Sequence, residues 1–265
     1  MRVISIFICV FLCGSLSEAC AEDITPSFSQ KLDIQVRYDN RSNRPSREQY
    51  RLRYYPSLAL TSTWSVNSFI VTGDDFSSSH NTFGSDTTDY LYARRLYLRH
   101  ETNAGKTELG IIPTYKGRVS STGLSKDGWI TGIRHVRKLQ NNTALEIVVG
   151  QLANAEASEA FNVGEEDEYF EIEYSAKMGG RHSYEASFER MLNGTFARAE
   201  YRFRINEEDT AFVELVQRTD ESAAKIVVGT SGEFAASAFN TSYPIEYFAY
   251  YSYIDSSFGE RAELI

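Results

Sequence analysis

The chain of 265 residues carries three cysteines, Cys9, Cys13 and Cys20, and none beyond them. A chain trimmed of its first residues therefore has no disulfide, no thiolate nucleophile and no cysteine metal ligand. A basic surplus is missing too, since 36 Asp+Glu face 27 Lys+Arg for a formal charge of -9. Nucleic-acid binding needs a phosphate-neutralising face, and no basic tail or patch stands out along the chain, so nucleic acid is excluded as a partner. After residue 21 no run of 18 apolar residues occurs, which excludes a conventional transmembrane helix. Histidine is limited to four residues, little material for triad chemistry.

Aromatic rings, by contrast, are abundant. Seventeen Tyr, 16 Phe and two Trp make up 13% of the chain, and half of them carry a hydroxyl suited to a boundary between wet and apolar surroundings. The first residues read as an export signal. Met1-Arg2 is a short positive start, Val3 to Leu16 is an apolar stretch too short to span a bilayer, and Ala19-Cys20-Ala21 offers small residues for cleavage before Glu22. Residues 1–21 are expected to be removed and residues 22–265 to form one domain. Lipidation of Cys20 is the alternative, which would anchor the chain rather than span a membrane.

Period-2 alternation recurs along the remaining chain. Leu32, Ile34, Val36 and Tyr38 alternate with Lys31, Asp33, Gln35, Arg37 and Asp39, the pattern of a strand with two unlike faces. Tyr50, Leu52 and Tyr54 alternate with Arg51 and Arg53, and Phe170, Ile172 and Tyr174 with Glu171 and Glu173. Tyr184, Ala186 and Phe188 alternate with Glu185 and Glu189, and Ala197 to Ile205 with Arg198, Glu200, Arg202 and Arg204. Weaker copies surround Glu108, Glu146 and Glu214. Trp129 to Leu139 mixes charges on both faces and has no assignable orientation. Strands are expected to begin near Phe28, Tyr50, Trp64, Tyr90, Thr107, Trp129, Ala144, Tyr169, Ser183, Phe196, Thr210 and Ala223. Further strand-like text runs from Phe234 to Phe239 and from Glu246 to Ile254.

The connections alternate as well. Short turns at Asn103-Ala104-Gly105-Lys106, Gln140-Asn141-Asn142, Met178-Gly179-Gly180 and Asn206-Glu207-Glu208-Asp209 join hairpins. Long polar loops lie between the pairs, at Gly73 to Asp89, Gly117 to Gly128 and Ala153 to Glu168. Short turns at one end, long loops at the other and a sheet with no free edge describe a transmembrane antiparallel up-and-down β-barrel, all-β, of about 12 strands with 10–14 allowed.

On this pattern, across Phe28 to Ile265, the chain resembles a Gram-negative outer-membrane β-barrel of the porin kind. Ser257, Gly259, Ala262 and Leu264 match the spacing of the terminal assembly signal of such barrels, while Ile265 departs from their aromatic ending. In length and arginine content the chain is similar to the porins for acidic oligosaccharides, the oligogalacturonate-porin family. The resemblance implies an outer-membrane location with lipid and lipopolysaccharide around the barrel, passage of a small polar or acidic solute, no cofactor, and room for homo-oligomers.

In such a barrel the charged face looks into the lumen. The expected basic lining is Lys31, Arg37, Arg51, Arg53, Arg95 and Arg99 on early strands, with Arg198 and Arg202 later. The expected acidic lining is Glu146, Glu171, Glu173, Glu185 and Glu189 on middle strands. A positive wall then faces a negative one across a narrow path, whose low-dielectric surroundings focus the field. The competing reading pairs these charges with their neighbours, Glu185 or Glu189 with Arg198 or Arg202, and closes the lumen. Two further alternatives stay open: a non-conducting barrel with a structural or surface role, and a soluble periplasmic sandwich or lipocalin-like carrier.

Catalysis finds no constellation. Ser78-Ser79-His80-Asn81 holds suitable residue types in a Ser-rich loop and reads as solvated; His182-Ser183 follows a Gly-Gly turn; His100 sits by a strand end; His135 lies in the mixed-charge segment; Asp74-Asp75 has no partner in the text. No enzyme is expected. Glu165-Glu166-Asp167-Glu168 lacks metal-loop spacing and reads as a solvated acidic loop rather than a metal site. Tyr247, Phe248, Tyr250, Tyr251 and Tyr253 suit a membrane-rim girdle, with a stacking surface in the lumen as the alternative.

Overall fold

The computed structural model describes residues 25–41, 44–76, 78–84, 90–114, 127–152, 156–162, 168–235 and 244–259. The expected export segment, the residues Glu165-Glu166-Asp167 and the chain from 260 onward lie outside the described residues. The strands are β1 (Ser27–Arg41), β2 (Arg44–Ala59), β3 (Trp64–Thr72), β4 (Asn81–Thr82), β5 (Leu91–Thr102), β6 (Gly105–Pro113) and β7 (Trp129–Lys138). They continue as β8 (Thr143–Gln151), β9 (Tyr169–Met178), β10 (His182–Met191), β11 (Gly194–Arg204), β12 (Thr210–Arg218), β13 (Ala223–Ala235) and β14 (Pro244–Ile254). All belong to one sheet. Apart from β4, which pairs with β2, each strand lies antiparallel to the next in a continuous meander from β1 to β14. The up-and-down all-β architecture and the anticipated strand range hold. Eleven of the twelve anticipated starts fall within two residues of the observed ones; the exception is β2, which begins at Arg44 rather than near Tyr50.

Strand polarity is inverted relative to a soluble protein. On β9 and β10 the apolar Ile172 and Phe188 are 38% and 44% exposed, whereas their neighbours Glu171 and Glu189 are 2% and 3% exposed. On β1 the row Leu32, Ile34, Val36 is exposed throughout. A sandwich would bury the opposite set against a second sheet. The described residues form a single sheet, so its charged face is buried only because the sheet curls over itself. This pattern does not fit the sandwich form of the soluble-carrier alternative, and burial of the exposed apolar face in an apolar solvent is favourable by about 25 cal/mol per Å².

The two ends differ as anticipated. The tight turns at 103–104, 139–142, 179–181 and 205–209 all lie at one end, and the connections 73–90, 114–128 and 152–168 at the other. Asn141 and Asn142 both adopt φ of 58°, the left-handed pair that matches a two-residue hairpin to strand twist. The apolar core sits inside the long-loop end, where Phe76 packs on Trp129 with Ile112, Ile130, Val148, Leu152 and Phe196.

Curvature has a local origin. Gly110, Gly132 and Gly150 pair in one row across β6, β7 and β8, flanked by Tyr97 on β5 and Tyr169 on β9. A Cβ at Gly132 would lie 2.2 Å from the carbonyl oxygen of Val149, and one at Gly150 would lie 2.3 Å from that of Thr131. Glycine there permits a close approach of backbones and a bend that any side chain would oppose. The buried ring of Tyr169 and the half-buried one of Tyr97 border the vacated strip. Gly150→Ala is expected to lower stability by about 1–3 kcal/mol through overpacking, read as a shifted urea midpoint of the protein folded in lipid vesicles. An unshifted midpoint would show that the row is not closely packed.

Candidate pore-lining site

Three layers of side chains follow the long-loop core along the inner face. Nearest to it, residues 73–76 and 78–79 turn inward before β4 rejoins the sheet beside β2, and arginines from the wall clamp them. The Arg94 guanidinium donates to the carbonyl oxygens of Asp75, Gly73 and Ser78 at 2.7, 2.8 and 3.0 Å. Arg53 binds the Asp127 carboxylate at 2.6 Å, to which the Ser79 hydroxyl also donates at 2.7 Å. Arg95 donates to the Gly128 carbonyl and lies over the Phe69 ring. Ser79 and Asn81 are 1% and 2% exposed, which corrects the expectation that Ser78-Ser79-His80-Asn81 is solvated. The physical reason is that Asp127 and the Tyr50 hydroxyl supply partners that replace water, Asn81 donating to the latter at 3.0 Å.

Loop electrostatics follow from this placement. Burial pushes the Asp127 carboxyl up, but hydrogen bonds from Arg53 and Ser79 and the charges of Arg53 and Arg95 outweigh it and hold it below the usual carboxylate range. Burial, together with the positive charges of Arg37, Arg51 and Arg53, pushes the His80 imidazole down to about 4. The folded loop thus binds fewer protons than the unfolded chain between the ordinary histidine value of 6.5 and about 4, so acidification across that window weakens it. Asp127 adds stability that is present above the ordinary carboxylate range and lost as pH falls through its lowered value.

In the middle layer, carboxylates of neighbouring strands converge on two buried guanidinium hubs. Arg134 on β7 binds Glu108 and Glu146, each at 2.9 Å, and Glu108 also takes Arg99 at 2.7 Å and Lys106 at 3.4 Å. Arg198 on β11 binds Glu200, Glu185 and Glu173 at 2.6, 3.0 and 3.6 Å, and Glu214. Glu200 further binds Arg202. Glu171 accepts from the Tyr169 hydroxyl at 2.8 Å, and Glu189 from Ser187 at 3.1 Å. Near-zero exposure of Arg134, Glu108 and Glu214 places these groups out of water.

The anticipated lining residues therefore divide. Glu146, Glu171, Glu173, Glu185, Glu189 and Arg198 are brought together in the dry middle layer, with Arg99 and Arg202 at its margin. Arg53 and Arg95 hold Asp127 and Gly128, against which Ser79 of the inward loop rests. Arg37 is half-buried and donates to Gln49 at 2.9 Å, Arg51 is half-buried beside it, and Lys31 is exposed over the Tyr55 ring. Pairing of Glu185 with Arg198, the competing expectation, is present. Arg134, Arg94 and Asp127 were not anticipated. Arg134 lay in the mixed-charge segment, and its inward direction follows only from pairing with Glu108 in register.

Arg134→Met removes the cation between two buried carboxylates and is expected to lower stability by about 3–5 kcal/mol, with partial recovery when Glu108→Gln and Glu146→Gln are added. Chemical denaturation in vesicles measures both. Equal losses in the single and triple variants would contradict a shared hub. For the loop, protease cleavage within residues 73–84 is expected to rise as pH falls from 6.5 toward 4, and Asp127→Asn is expected to raise it already at pH 7.

The sequence matches no family model and no curated protein. Its fold, however, matches solved structures of engineered mutants of Rhodopseudomonas blastica porin. One aligns with a TM-score of 0.57 at 12% identity over 88% of this chain and 86% of that one. A triple mutant gives 0.57 at 11% identity over 87% and 85%. A third gives 0.56 at 12% over 88% and 86%. At such identity the likeness concerns architecture: this chain has the fold of a porin-type antiparallel β-barrel.

Proposed function

We propose that this chain is an outer-membrane, porin-like channel that lets small polar or acidic solutes diffuse through a charged lumen, after removal of residues 1–21. The observation that carries the reading is the inverted polarity of the strands, with exposed Ile, Leu, Val and Phe on one face and buried charge on the other. Lipid satisfies the first face and an aqueous or ion-paired interior the second. A porin fold supports it. Wet inner-face residues Lys31, Gln35, Phe248 and Tyr250 lie on the first and last strands, which favours a path along that side rather than past the dry hubs of β7–β12. Outer tyrosines Tyr251 and Tyr253, 71% and 54% exposed, suit the membrane–water boundary. The expected lining residues keep their proposed role by contributing the field that acts on a passing ion, and lipopolysaccharide and self-association remain part of the proposal.

A second reading, a non-conducting barrel with a structural or surface role, is favoured by one observation. Phe76, Trp129 and their neighbours fill the interior at the long-loop end. Reconstitution into planar bilayers separates the two: stepwise conductance is expected for the channel, and silence from protein verified as folded by heat-modifiable migration would establish the second. If the clamped loop narrows the path, Asp127→Asn is expected to increase the unit conductance.

A further inference from the structure

The third layer lies at the short-turn end, and its chemistry is unlike the rest of the chain. A cavity of about 420 Å³ opens there, on the inner side of β9 to β14. Among the described residues its lining contains Lys177, Arg181, Arg202 and Arg204 and no carboxylate, beside Phe212 and Phe248. In a chain with nine more acidic than basic residues, and one layer away from the carboxylate-rich hub of Arg198, this segregation creates a local positive field. Of the acids on the same face, Glu200 is already bound by Arg202, and Glu233 and Glu246, paired across β13 and β14, are exposed beyond Ser231 and Phe248 at the outer edge.

Pairing explains how the residues meet. Arg202 lies opposite Ser183 on β10 and Phe212 on β12, and Phe212 lies opposite Gly229. The absence of a side chain at Gly229 matters, since a Cβ there would lie 2.5 Å from the Phe212 ring. Phe212 therefore reaches over β13 and stacks on Phe248 of β14, with centroids 5.5 Å apart and planes 6° apart. Phe248 in turn packs on Tyr250 at 5.2 Å. The result is a flat apolar strip along one side of a cationic bowl. Ser183, Thr210 and Ser231 line the same cavity. His182 turns away, its ring bonded to the Tyr201 hydroxyl at 2.6 Å.

We infer that this cavity is a binding site for a small organic carboxylate with a flat apolar face. Guanidinium forks match the two oxygens of a carboxylate, the surrounding protein strengthens the attraction relative to water, and stacked rings accept the apolar face of the same molecule. A volume of this size holds a molecule of that class. The inference deepens the channel reading by giving its solute a chemical class at one mouth, yet it does not require conduction. A barrel sealed at its long-loop end would still hold the ligand in this bowl.

The test is equilibrium binding to the folded, detergent-solubilised full chain, titrated calorimetrically with benzoate, acetate and inorganic phosphate. Saturable benzoate binding, at least tenfold tighter than acetate or phosphate and weakened by added chloride, is expected. Arg181→Gln with Arg204→Gln is expected to weaken benzoate at least tenfold, whereas Phe248→Ala weakens benzoate and leaves acetate unchanged. Each variant is first checked for heat-modifiable migration; where Phe248→Ala fails that check, Phe248→Leu takes its place. Absence of saturable benzoate binding overturns the inference, as does equal affinity in the arginine variants, or phosphate binding as tightly as benzoate. Since conductance is read separately, a silent barrel that binds benzoate would sink the channel and keep the site, and a conducting one without binding would do the reverse.

Discussion

Every strand here has to satisfy two solvents at once. A backbone that meets lipid on one side cannot leave its amides unpaired, and alternate side chains must point into opposite media, so sequence alternation, continuous antiparallel pairing and the burial of charge are one constraint seen three ways. Nothing in the middle layer would be tolerable in an ordinary core. Carboxylates such as Glu214 at 1% exposure persist because a neighbouring strand supplies a guanidinium in register, and because removing either partner strands the other in a poor dielectric. The same alternation that turns Ile172 outward therefore obliges Glu171 and Glu173 to find partners inside.

That obligation gives the interior its layering. Apolar side chains fill the long-loop end, ion pairs span the middle and cations rim the short-turn end. A solute entering from the rim would meet attraction for anions first and a carboxylate-rich wall next. In the proposed channel such a succession of opposite fields would sort molecules by how their charges are distributed rather than by net charge alone.

Much of the fold was legible because a period of two needs only local reading. The row from Leu32 to Tyr38, the Gly-Gly turn before His182 and the Asn-Asn turn before Thr143 each carry their own signal. The inward loop was not, because Ser78 to Asn81 look like solvated text until Asp127 and Arg94 arrive from distant strands to replace water. Arg134 was hidden for a related reason: charges on both faces of its segment cancel the alternation, and only the register with Glu108 orients it. The basic bowl was invisible along the chain, where Lys177, Arg202 and Arg204 are interspersed with glutamates. Sheet pairing sends those acids to the next layer, and no linear scan of charge can register that separation.

Among the described residues the meander of β1 to β14, leaving β4 aside, has an odd number of strands, thirteen. The first and last of them consequently point the same way, so closure between them would use slanted, evenly spaced bonds, less stable per residue than the antiparallel ladders elsewhere. A cylinder closed this way would have a built-in zipper line, the place where force or heat would first part its wall.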